Sequence, residues 1–251
     1  MSDIYSRNRL YVNTEEQELI KKTPILIAGC GIGSNIAECA LRFGFENLTL
    51  VDGDIVEQSN LNRQNYTNKS ISEYKAETLY KRLKDINPEA QIKYASQYIN
   101  EANLSSITDG HEIAINALDF SSNLPLKFDK VCQDKNMHIL HPYNLGWGGL
   151  VTVIAPSSLP LESISLDKSF NELKVVEYVA NYYRFWNKPI DWLEKIIQDY
   201  KNEKEVISPP QLSIASTIVA GMSTHLLFKI ATFKPFKKFP EFYLNSLSLD
   251  E

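Results

Sequence analysis

The sequence predicts an α/β protein with a Rossmann-like, doubly wound, mostly parallel sheet, a helical insertion and a C-terminal helix. Three observations lead there. The apolar run Ile25 to Ala28 ends in the glycines Gly29, Gly31 and Gly33, and a helical pattern follows at once. A second apolar run, Leu48 to Val51, ends in Asp52. Strand and helix patterns then alternate to about Ile154, the order that places helices between parallel strands.

Each element has its own warrant. Thr14 is an expected N-cap for a short first helix, and Pro24 punctuates before the first strand. Ile36, Ala37, Ala40 and Leu41 fall at helical spacing after the glycines. Gln58 to Ser70 is polar and reads as a long loop. Ser72 is placed to cap the next helix, whose Ala76, Leu79, Leu83 and Ile86 share one face until Asn87-Pro88 stops it. Alternation predicts a strand over Gln91 to Ser96, and a further strand is expected over Glu112 to Asn116. Leu124, Phe128 and Val131 mark a third core helix, and Ile139-Leu140 a short buried strand. Pro142 to Gly149 reads as a glycine-rich loop and Leu150 to Ile154 as another strand.

Beyond Pro160 the character changes. Val175, Val179, Tyr182 and Trp186 form one stripe, and Leu193, Ile196, Ile197 and Tyr200 a second, with Pro189 in the first turn of its helix. They predict a helical insertion at about 160–205 whose aromatics pack on the body. Ile214 to Ala231 reads as a buried helix, because its small and hydroxylated residues suit packing better than a membrane span. Phe242 to Leu247 is an expected last strand. No repeat or linker divides the chain, so residues 1–251 are expected to form one domain.

With 251 residues, 43% of them hydrophobic, the chain is long and apolar enough to bury a core. Its net charge of −5 argues against a nucleic-acid partner, which a basic excess would favour. The one basic concentration, Lys229, Lys234, Lys237 and Lys238, reads as solvated surface. The cysteines Cys30, Cys39 and Cys132 form no C-x-x-C pair, and the opening MSDIYSRNRL lacks the apolar core of a signal peptide. A cytoplasmic protein with no membrane partner is expected.

Glycines at a helix N-terminus expose backbone N–H groups to an anion, and the helix dipole adds to the attraction. That motif suits NAD, FAD, SAM and ATP alike. Gly33 falls one position early, with Ser34 where a glycine is more usual. A displaced helix start, or Ser34 Oγ joining the anion ring, would accommodate this. Asp52 at a strand end is placed to accept hydrogen bonds from ribose hydroxyls. Arg63 and Lys75 add two cations near the cradle, more than a dinucleotide needs and in keeping with a triphosphate. His138 and His141 face opposite sides of a strand and are not expected to pair on a metal.

Taken together, VDGDIVEQSNLNRQ, Lys75-Ala76 and Ile86-Asn87-Pro88 resemble the ThiF/MoeB/HesA family, the relatives of ubiquitin-activating enzymes. Tyr5-Ser6-Arg7-Asn8 is similar to the family's N-terminal Y-S-R-Q, and Asn116-Ala117-Leu118-Asp119 to its N-A-L-D. The likeness runs from about Tyr5 to Ile154. It implies an ATP-dependent adenylyltransferase in which a substrate carboxylate attacks the α-phosphate of ATP, giving an acyl adenylate and pyrophosphate. By that likeness Gly29, Gly31, Gly33, Asp52 and Asp54 hold the nucleotide, with Asp52 at the ribose. Asn60, Arg63, Gln64 and Lys75 lie along the phosphates, and Asp119 binds Mg²⁺. Arg7 reaches the phosphates of the neighbouring protomer in a homodimer. The implied partner is a ubiquitin-like or sulfur-carrier protein, or a peptide, with a free C-terminal carboxylate.

The departures from the family pattern carry expectations too. Without two C-x-x-C pairs, no structural zinc is expected. No cysteine follows Cys132, which falls in a core helix, so an internal thioester step is not expected. Phe120 stands where the family usually has asparagine, and no arginine follows at the usual distance. Tyr143, Asn144 and Trp147 either line a channel for the substrate's tail or pack on the core. Two other functions fit parts of the same pattern. An NAD-dependent oxidoreductase is supported by the glycine loop and Asp52 alone, and a non-catalytic scaffold subunit by Phe120 and the early Gly33.

Overall fold

Strand β1 (Ile25–Ala28) points Ile25 and Ile27 to one side and Leu26 and Ala28 to the other, so both faces of its sheet must be covered. The computed structural model describes residues 3–165, 170–204 and 208–247. The other strands are β2 (Asn47–Val51), β3 (Gln91–Ala95), β4 (Ile113–Asn116), β5 (His138–Asn144), β6 (Gly148–Ile154) and β7 (Tyr243–Ser246). They form one sheet in the order β3-β2-β1-β4-β5-β6-β7. The first five run parallel, and β6 and β7 add antiparallel at the edge. Strand order reverses between β1 and β4, the position at which such sheets open a crevice at their carboxyl ends.

The helices are α1 (Thr14–Lys22), α2 (Ile32–Phe43), α3 (Lys75–Ile86), α4 (Leu104–Thr108), α5 (Leu124–Asp134), α6 (Glu172–Phe185), α7 (Asp191–Lys201) and α8 (Ser213–Ala231). Ile20, Ile36, Leu79 and Leu227 cover one face of the sheet from α1, α2, α3 and α8. Leu104, Phe128, Val175 and Leu193 cover the other from α4, α5, α6 and α7. Large side chains such as Phe128, fully buried, contribute about 2–3 kcal/mol each through lost apolar exposure. Helix α8 is long and apolar enough to cross a membrane. It packs against α2 and β6, with Val219 and Leu227 fully buried, as expected of a core helix.

Several local expectations are corrected. Asn13, not Thr14, caps α1: its side chain accepts from Glu16 N while Glu16 reaches back to Asn13 N, a reciprocal capping box. Ser72 does not cap α3. The segment before α3 is zipped to residues 54–56, and Lys75 N donates to Asp54 O at 2.9 Å, so a backbone carbonyl takes the N–H a cap would have satisfied. Pro189 lies outside α7, which starts at Asp191 after Ile190. Strand β5 extends through Pro142 to Asn144, where a loop was expected. Its pairing with β4 stops at Leu140, so a proline without an N–H disturbs nothing on that side.

Candidate active site

A cleft of about 1240 Å³ opens at the C-terminal ends of β1, β4 and β5. Gly29, Gly31, Asp52, Asp54, Asn60, Arg63, Gln64, Lys75 and Asp119 all border it. Gly29 has φ +93°, and a Cβ there would collide with the carbonyl of Ala117. Only glycine allows the ends of β1 and β4 to close so tightly. Gly33 lies outside the cleft lining, buried in the first turn of α2. A Cβ on it would stand 2.8 Å from Ile27 Cγ2, so this glycine serves helix–strand contact rather than an anion. Ser34 Oγ does not face the cradle: it donates to Gly31 O at 2.7 Å and accepts from Asn65 N at 3.0 Å.

Two backbone amides aim the Asp52 carboxylate. Cys30 N donates to one oxygen at 2.6 Å and Asp54 N to the other at 2.8 Å. Burial pushes its pKa up, while the two amides act in the opposite direction. The loop after Asp54 is tied back to the glycine turn by Tyr66, whose buried hydroxyl donates to Cys30 O at 2.7 Å. Asn60 Oδ1 accepts from Glu57 N at 3.0 Å, fixing the turn that carries Arg63.

The cations stand on either side of that loop. Lys75 is buried, and its Nζ lies 3.0 Å from Asp54 Oδ2. Tyr98 donates its hydroxyl to Asp54 Oδ1 at 3.0 Å. Arg63 donates from Nε to Gln211 Oε1 at 2.6 Å, and from Nη1 to Ser59 O and Asn62 Oδ1, both at 2.8 Å. Burial pulls the Arg63 pKa down, and the negative charge of Asp119 opposes this. Arg63 and Asp119 therefore share one end of the cleft. Phe120 turns toward Phe170 and His141, with ring centres 5.6 and 6.2 Å away.

Four further residues border the cleft, and of these the sequence singles out only Tyr143 for such a place. Glu172 opens α6 behind the cap Asn171, and burial pushes its carboxyl up to about 7, with Asp119 adding to the shift. The Tyr143 hydroxyl is buried with no hydrogen-bond partner. His141 meets both oxygens of buried Asp129 at 2.8 Å, and Asn116 Nδ2 donates to Asp129 Oδ1 at 2.8 Å. Gln211 closes on Arg63 from the chain just before α8. The Asn171-Glu172 pair marks a helix start in the sequence, but nothing there says which way the helix faces.

Arg7 is exposed in a 3-10 turn (Asp3–Asn8) away from this cleft. Tyr143 and Asn144 border the cleft, whereas Trp147 is 53% exposed at the tip of the β5–β6 hairpin and does not. Asn144 fastens the start of α8, donating to Leu212 O at 2.8 Å and Ser216 Oγ at 2.9 Å. Cys30 and Cys132 are buried thiols whose pKa values burial raises. Among the described residues, no three His, Cys, Asp or Glu side chains gather as a metal would require.

The ThiF family model matches residues 5–249. A probable molybdopterin-synthase adenylyltransferase of Gracilaria tenuistipitata var. liui is 30% identical over 177 residues, 66% of this chain and 48% of that protein. A SAMP-activating enzyme E1 of Haloferax volcanii is 24% identical over 61% of this chain and 58% of its own length. This chain thus spans about half the length of such relatives. Among solved structures, E. coli MccB with ATP superposes with a TM-score of 0.70 at 18% identity, over 98% of this chain and 71% of that one. PaaA superposes with a TM-score of 0.65 at 19% identity, over 93% of this chain and 72% of that one. At those identities the likeness concerns the fold, and it matches the seven-stranded sheet described above. The family model covers nearly the whole length, including every element that builds the cleft, and the chain belongs to the ThiF family.

Proposed function

We propose that the protein is an ATP-dependent adenylyltransferase that activates the C-terminal carboxylate of a small carrier protein or peptide as an acyl adenylate. One observation carries this reading: Asp52, Lys75, Arg63 and Asp119 border a single cleft behind a glycine turn. ATP fits the groups present. Gly29 leaves the backbone bare, Asp52 offers aimed acceptor oxygens to a ribose, and Asn60, Arg63, Gln64 and Lys75 offer donors to phosphates. Asp119 would hold Mg²⁺ together with phosphate oxygens. Bound there, the ion would supply positive charge, and Arg63 and Lys75 offset the charge that builds as a carboxylate anion attacks an anionic phosphate. Arg7 serves the neighbouring protomer of a homodimer. With its cysteines in or beside the core helices, the chain passes the acyl group to an outside nucleophile, in the cytoplasm and without structural zinc.

The relatives' names support this reading. One is a sulfur carrier protein ThiS adenylyltransferase of Bacillus subtilis, 27% identical over 66% of this chain. The structural neighbour MccB is known with the peptide MccA. Calorimetry with Mg·ATP and NAD side by side separates the adenylyltransferase from an oxidoreductase: heat with ATP alone is expected, and heat with NAD alone contradicts it. The activity is then measured as pyrophosphate exchange into ATP over a panel of hexapeptides that differ in their last residue, together with carriers ending in Gly-Gly. Exchange that depends on a free carboxylate is expected. No exchange with any panel member, and no ATP binding, would remove the reading.

A further inference from the structure

An acyl adenylate must be consumed, and the cleft contains a group suited to that step which the adenylation chemistry leaves unused. His141 is 1% exposed, in the middle of β5 just past the last residue paired with β4, and it borders the cleft. Nε2 lies 2.8 Å from each oxygen of Asp129, which is itself 4% exposed and held by Asn116 Nδ2 at 2.8 Å. A carboxylate only accepts, so Nε2 carries the proton and Nδ1 is the nitrogen the ring has left to offer. Tyr143 stacks beside it at 6.3 Å between ring centres, and Phe120 closes the other side at 6.2 Å. A buried carboxylate fixing the tautomer and orientation of an imidazole is the arrangement of a general base and its positioning residue.

We infer that His141, oriented by Asp129, is the general base for attack of an amine on the acyl adenylate. This rests on the adenylation reading given above. Glu172 borders the cleft beyond Arg63, and above about pH 7 its ionised carboxylate attracts an alkylammonium ion, which must lose a proton to attack. In the step, the ammonium ion first gives one proton to water; the neutral amine nitrogen then bonds to the acyl carbon, and its second proton passes to His141 Nδ1. The acyl C–O bond to phosphate breaks, its electron pair leaves on AMP, and His141 returns the proton to water. The titratable groups against the ring are Asp129 from α5 and Tyr143 beside it on β5, and Asp119 and Glu172 border the same cleft. The β6 partner of His141, Thr152, carries no charge.

The test uses the full chain, whichever panel member supports pyrophosphate exchange, and glycinamide as the amine. Amide formation is divided by exchange for wild type, His141→Gln, His141→Asn and Asp129→Asn. The ratio is expected to fall about 100-fold in both His141 variants, with a smaller loss in Asp129→Asn. A ratio within threefold of wild type in both His141 variants would overturn the inference. Nitrogen-15 NMR of the histidines judges the dyad without any acyl substrate. A proton on Nε2 with bare Nδ1 supports it, and a proton on Nδ1 overturns it. A panel without exchange counts against the adenylation reading and leaves the nitrogen spectrum to decide the dyad.

Discussion

Arg63 Nε donates to Gln211 Oε1 at 2.6 Å, tying the loop behind Asp52 to the chain that leads into α8, 148 residues away. Asn144 grips the same segment from the other side, exchanging hydrogen bonds with Leu212. The strap so formed runs over the cleft, and its tension member is the residue proposed to meet the phosphates. Arg63→Ala is expected to weaken ATP binding by about 1.5–3 kcal/mol, the worth of a hydrogen bond to a charged group. Gln211→Ala is expected to cost less than that, because it leaves the guanidinium in place. Calorimetric titration of both variants with Mg·ATP checks the order, and equal losses would contradict it.

Gly33 is buried against β1, and its substitution tests whether that glycine packs or binds. A Cβ would meet Ile27 Cγ2 at 2.8 Å, inside normal contact. Gly33→Ala is expected to destabilise the protein by about 1–3 kcal/mol in urea unfolding. Adding Ile27→Ala removes the colliding methyl, so the double variant should lose less than the sum of the single losses. Strict additivity would show that the contact is not the cause.

Tyr66 holds the cradle from behind. Its hydroxyl donates to Cys30 O at 2.7 Å in a buried setting, and Tyr66→Phe leaves that carbonyl without its partner. A loss of about 1–3 kcal/mol of stability is expected, with weaker ATP binding because Cys30 N also aims Asp52. Chemical denaturation beside ATP titration measures both, and a change in neither would remove the role.

Glu172 makes stability depend on pH in a stated direction. Its carboxyl titrates at about 7 in the folded protein and at an ordinary 4.5 when unfolded. Between those values the folded state holds the extra proton, so stability is fully present below about 4.5 and is lost as pH rises through about 7. At about 1.4 kcal/mol per pKa unit the loss has an upper limit of about 3 kcal/mol. Glu172→Gln keeps the protonated shape at every pH. Its Tm should match wild type at pH 5 and exceed it at pH 8; a variant less stable than wild type at pH 8 would reverse the sign.

Much of the sheet and its cradle is legible in the sequence, because neighbours along the chain set those residues' positions. Gly29 and Asp52 end strands, Lys75 begins a helix, and Asp119 follows β4, so periodicity alone carries each to the crevice. Gly33 shows where such reading fails: its meaning lies in Ile27 across the helix–strand contact, not in its place in the motif. Pro142 reads as part of a glycine-rich loop, and only the early end of its pairing with β4 makes its strand position harmless. Asp129 and His141 lie on α5 and β5 with no motif joining them, and Gln211 reaches Arg63 from a distant loop. Those partners depend on how helices and strands pack, which spacing along one segment does not encode. Arg7 lies away from the cleft of its own chain, and its proposed role belongs to a second protomer.

The most direct measurement of an adenylating site is hydroxylamine trapping. The protein is incubated with Mg²⁺, ATP, hydroxylamine and the panel of peptides and carriers, and each peptide or carrier is weighed by mass spectrometry. A free C-terminal carboxylate converted to its hydroxamate, dependent on ATP and lost in Asp119→Asn, is the predicted result. Hydroxamate that forms equally without ATP, or no hydroxamate from any carboxylate while ATP remains bound, would contradict an acyl adenylate as the product of this cleft.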